Sequence, residues 1–90
     1  MSNADDEVAR FRERITELDR LILDAVNRRL ELVAELKLYK DANGIAFVDP
    51  DRERSMVETR VDENDGPLSD AGLREFYVGL LALTKRELER

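Results

Sequence analysis

Ninety residues with a formal net charge of −6 make one domain, and a single core of that size leaves much surface uncovered, so a partner chain is a natural source of further burial. Neither cysteine nor histidine occurs, which removes disulfides, thiolate nucleophiles, Cys-ligated zinc and the commonest general base. The acidic balance argues against a nucleic-acid-binding face; with the polar stretch Met1 to Glu7 and no bilayer-length apolar run, it leads us to expect a soluble cytoplasmic protein off the membrane.

From Asp5 to about Ala42 there is no Gly or Pro, and Leu, Ala, Glu, Arg and Lys dominate. This predicts a helix over about 5–42, ended by Asn43-Gly44. Its apolar stripe runs Val8, Phe11, Ile15, Leu18, Ile22, Ala25, then position 29, Leu32, Leu36 and Tyr39, in alternating steps of three and four. Such a helix is roughly 57 Å long, about twice the width of a compact monomer this size, so the rest of its own chain cannot cover it.

After the connector Ile45-Ala46-Phe47-Val48, Asp49-Pro50 reads as an N-cap followed by proline at the first helical position, predicting a second helix over about 50–63. Asn64-Asp65-Gly66-Pro67 is a turn signal. Ser69 then caps a third helix over about 69–89, with Leu73, Phe76, Leu80, Leu83 and Thr84 on its stripe. The expected fold is all-α, three helices in the order long, short, medium.

Several cations stand where the pattern wants something else. Arg29 occupies a seam position, where a guanidinium is costly unless an anion or a set of acceptors meets it; snorkelling, or pairing with a partner's carboxylate, would also satisfy it. Arg12 and Lys40 lie on one flank beside the seam, a place usually solvated or ion-paired between chains. Lys40 is three turns from Arg29, close enough for their side chains to converge, whereas Arg12 is roughly 25 Å from it along the axis. Two long helices packed antiparallel could lay Arg12 of one chain beside Arg29 and Lys40 of the other, making two equivalent sites. Asp49 and Asp51 are explained by the cap and the helix dipole, but Arg52 in the first turn opposes that dipole. Thr84 and Glu87, near Lys85-Arg86, are adequately explained by a solvated helix end.

Taken in order, Arg12-x-x-Ile15-x-x-Leu18-Asp19, Arg29, Lys40 and Asp49-x-x-Arg52-Glu53 closely resemble the all-helical class of chorismate mutases, typified by the mutase domain fused to prephenate dehydratase in enteric bacteria. The resemblance covers most of the chain and implies a single mutase domain of three helices, forming an intertwined homodimer with active sites shared between chains. It implies that Arg29 of one chain and Arg12 of the other bind the two carboxylates of chorismate. Lys40 would reach the ether oxygen and a carboxylate, and Glu53 would accept the ring hydroxyl, with Asp49 and Arg52 lining the connector side.

The third helix departs from the family's pattern of a Ser followed four residues later by Gln or Glu. Thr84 replaces the Ser in one register, but Leu88 then follows; the other register puts Glu87 in the Gln position and Leu83 in that of the Ser. We expect Glu87 as the ether-oxygen partner, with Thr84 its neighbour. A Glu there must be protonated to donate, so the rate should fall as pH rises through its titration.

The reaction implied is the intramolecular rearrangement of chorismate to prephenate, on the route to phenylalanine and tyrosine. It transfers no proton and calls on positioning and electrostatic preorganisation, which suits a chain without His or Cys and leads us to expect neither metal nor organic cofactor. An isochorismate pyruvate-lyase shares the fold and much of the cation set, although Asp49-x-x-Arg52-Glu53 looks more like the mutase. A mutase of 4-amino-4-deoxychorismate would differ only near the ring hydroxyl. A non-catalytic helical dimerisation module predicts Leu or Ile at position 29 and no special spacing of Arg12, Lys40 and Arg52. Association with another enzyme of aromatic biosynthesis is left open by the sequence.

Overall fold

The computed structural model describes residues 3–89. Among them are three helices and no strand: α1 (Asn3–Ala42), α2 (Pro50–Glu63) and α3 (Asp70–Leu88). The chain divides into two units, one up to Val33 and one from Ala34 onward. No helix among the described residues is long and apolar enough to cross a membrane.

The described residues of the first unit are all helical. Asp5 and Asp6 in its first turn complement the positive end of the helix dipole, and Arg10–Glu7 and Arg28–Asp24 pair along its surface. No residue of α1 is buried. Val8, Phe11, Ile15, Leu18 and Ile22 are all exposed, while Val26, Arg29, Leu30 and Val33 are half-buried. An amphipathic helix derives most of its stability from covering its apolar stripe, and here that stripe is bare.

In the second unit, α1 ends where Gly44 turns to φ +67. The Ile45 N–H donates to the Lys40 carbonyl at 2.9 Å and the Gly44 N–H to that of Asp41 at 3.4 Å, the paired bonds of a Schellman closure. Asp49 caps α2 by accepting the Arg52 N–H at 3.1 Å, with Pro50 just inside. The side chain of Asn64 accepts from the Gly66 N–H at 3.1 Å and donates to the Leu68 carbonyl at 2.7 Å, holding the turn before α3. Ser69 caps α3 by accepting the Gly72 N–H at 3.0 Å.

Helix α2 packs on α3. Val57 and Leu73 are buried, together with Thr84. The covered line on α3 runs Leu73, Tyr77, Leu80 and Thr84. Phe76, expected on this stripe, is instead 50% exposed: it lies one residue, about 100° around the helix, from Tyr77. The two rings meet edge-on, centroids 5.2 Å apart. At the surface, Arg74 of α3 grips Glu58 of α2 with both prongs, at 3.0 and 2.9 Å. That hydrogen bonding holds the Glu58 carboxyl below its ordinary range, and raises Arg74 in turn.

Candidate active site

The second unit holds six expected site residues: Lys40 at the end of α1, Asp49, Arg52 and Glu53 at the start of α2, and Thr84 and Glu87 toward the end of α3. Lys40, in the last turn of α1, is half-buried, and its Nζ donates to the Phe47 carbonyl at 3.3 Å. A long flexible cation is thereby tied to the connector one turn from the helix end, where the dipole also favours it. Asp49 is exposed, its carboxylate engaged by the backbone of α2, and Arg52 is exposed beside it.

Glu53, in the first turn of α2, is drawn toward α3. Lys85 Nζ lies 2.8 Å from its Oε1 and 3.0 Å from its Oε2, with the two side chains 35% and 26% exposed for Lys and Glu respectively. On α3, Thr84 is buried and its hydroxyl donates to the Leu80 carbonyl at 2.7 Å, so its proton serves its own helix. Glu87 is half-buried one turn further on.

Lys37, which the sequence did not single out, fastens this end. Its ammonium donates to the Leu88 carbonyl at 3.1 Å and sits over the Phe47 ring, 5.5 Å from the centroid. The cation thus joins α1 to the connector and to the last turn of α3, satisfying a terminal carbonyl there. Its place one turn before Lys40 is the only trace of this role in the sequence.

A cleft of about 690 Å³ opens between α2 and α3. Val57, Val78, Leu81 and Ala82 supply its apolar wall, and Glu53 and Lys85 stand on its lining. Of the expected site residues only Glu53 reaches it; Lys40, Asp49, Arg52, Thr84 and Glu87 do not. Among the described residues no group of three or more carboxylates is placed to hold a metal ion.

The remaining two candidates belong to the first unit. Arg12 is exposed and Arg29 half-buried. Seventeen residues of one helix separate them, about 25 Å along the axis, so a single α1 does not bring them together.

Comparison with known proteins adds three findings. Residues 11–89 match the family model described as chorismate mutase type II. A T-protein from Enterobacter agglomerans is 39% identical over 57 residues, which is 63% of this chain; the chain spans 15% of that protein's length. The structure of a chorismate mutase from Thermus thermophilus superposes with a TM-score of 0.84 at 26% identity, covering 87% of this chain and 98% of the other. With the family pattern matched from the first turns of α1 to the end of α3, the chain belongs to the type II chorismate mutases, an isomerase family.

Proposed function

We propose that this chain rearranges chorismate to prephenate, in the biosynthesis of phenylalanine and tyrosine, and that it works as a cytoplasmic homodimer with two shared sites. The observation that carries this reading is that the family match over residues 11–89 spans every residue expected in the site, from Arg12 to Glu87. The bare stripe of α1 supports the dimer: a chain that buries Val57 and Leu73 while leaving Phe11, Ile15, Leu18 and Ile22 exposed has apolar surface to cover.

In this reading Arg29 of one chain and Arg12 of its partner take the two substrate carboxylates, the planar forks matching carboxylate geometry. Holding both ends selects the folded, diaxial conformer in which the carbons to be joined face each other, so orientation lowers the barrier. The ether C–O bond then breaks as the C–C bond forms; the electrons stay within the molecule and no proton need move. Lys40, and Glu87 when it carries a proton to donate, stabilise the charge growing on the ether oxygen. Glu53 accepts the ring hydroxyl, and Asp49 and Arg52 line the connector side. An acidic protein keeps cations at these places because its substrate is a dianion.

The test is the fate of chorismate, followed by ultraviolet absorbance and product NMR, with wild type and Arg29→Ala side by side. Prephenate formation that collapses in the variant supports both the reaction and the anion site. No turnover by a folded wild-type protein refutes the reading.

A further inference from the structure

The contact between Lys85 and Glu53 stands outside everything expected of the sequence. Lys85 reaches from α3 to the first turn of α2 and sets its ammonium against both oxygens of the carboxylate, at 2.8 and 3.0 Å, beside the cleft between the helices. Resting on the proposed function, in which Glu53 receives the ring hydroxyl, we propose that Lys85 is a specificity-determining residue. It makes the Glu53 end of the site select a neutral hydroxyl over an ammonium, and therefore chorismate over its 4-amino analogue.

Charge distinguishes the two substrates. An ionised carboxylate offers about four lone-pair positions. Lys85 donates to Oε2 and lies close to Oε1, which leaves positions on the carboxylate for a substrate donor. Without Lys85 the carboxylate would carry an uncompensated charge and would favour a cationic donor, since a hydrogen bond ionised on both sides is the stronger. With Lys85 in place the pair is neutral. A group bonded to Glu53 lies about 2.7–2.9 Å from its oxygen, and so roughly 4–5 Å from the ammonium. A second positive charge at that range is repelled, whereas a hydroxyl is not. The partial exposure of the pair weakens this repulsion without removing it.

The experiment compares kcat/KM for chorismate and for the 4-amino analogue in wild type, Lys85→Met, Lys85→Gln and Lys85→Arg, with circular dichroism confirming the fold of each. Wild type should prefer chorismate. In Lys85→Met, and in Lys85→Gln should the first fail to fold, the ratio should move toward the amino analogue by about tenfold. Lys85→Arg, which keeps the charge, should retain the wild-type ratio. If the pair merely pins α3 to α2, removing it lowers stability and slows both substrates alike. An unchanged ratio in the variants overturns the inference while leaving the mutase reading intact; a wild-type preference for the amino analogue overturns both the inference and chorismate as the substrate of choice. A wild type that turns over neither compound overturns the proposed function and the inference with it.

Discussion

Replacing Leu18 by Ala probes whether the bare stripe of α1 is an interface. Leu18 is 58% exposed within its own chain. Full burial of a leucine side chain is worth about 1.5–3 kcal/mol, so covering the exposed part would contribute roughly 1–2 kcal/mol. A two-fold dimer contains the residue twice, and the loss becomes roughly 2–4 kcal/mol per dimer. That is a weakening of about 30-fold to 1,000-fold in the dimer dissociation constant. Sedimentation equilibrium over a range of protein concentrations measures it, with Arg20→Ala, exposed on the polar side of the same helix, as the control. Because α1 buries no side chain in its own chain, helical circular dichroism should fall together with dissociation. A folded monomeric wild type, or a Leu18→Ala dimer as tight as the parent, would refute the reasoning.

Further expectations concern charge, backbone and the reacting oxygen. Glu58, held below its ordinary range by Arg74, binds its proton less readily folded than unfolded; its contribution is full above the unfolded value and lost as pH falls through the folded one. Thermal melts of wild type and Glu58→Gln should therefore differ at neutral pH and converge in acid, and a gap independent of pH would contradict this. Gly44→Ala places a side chain at φ +67, with open space around it, so the backbone alone bears a cost of about 1–2 kcal/mol, read by urea unfolding. Gly44→Asn should lose less, and an Ala variant as stable as wild type would speak against the closure. Glu87→Gln carries a donor at every pH; its activity relative to wild type should rise with pH, and a constant ratio would remove Glu87 from the ether oxygen.

The three helices were legible because each carries local punctuation. The run from Asp5 to Ala42 contains no breaker, Asn43-Gly44 stops it, and Asp49-Pro50 and Ser69 announce the next two starts. On α1 only Arg29 interrupts the apolar stripe; Arg12 and Lys40 lie on an ordinary flank and drew notice through their spacing to it. What the sequence concealed is pairing across distance. Lys85 and Glu53 are 32 residues apart, Arg74 and Glu58 are 16 apart, and nothing local in either partner names the other. The covered face of α3 was misjudged by one position, with Tyr77 in place of Phe76, because two adjacent aromatic residues fit a helical stripe almost equally well. Lys37 was passed over since a lysine on a helix flank is ordinarily solvated, and only the meeting of Phe47 and Leu88 gives it partners.

The most direct test of a shared site is to mix two inactive proteins. Arg12→Ala and Arg29→Ala homodimers should each lack one carboxylate anchor in both sites and convert chorismate poorly. After unfolding and refolding together in equal amounts, half of the dimers should be mixed, each with one site carrying both arginines and one carrying neither. Prephenate formation should recover to about a quarter of the wild-type rate. Mixed dimers, shown to have formed, that remain as inactive as their parents would contradict the claim that Arg12 and Arg29 meet on one substrate from two chains.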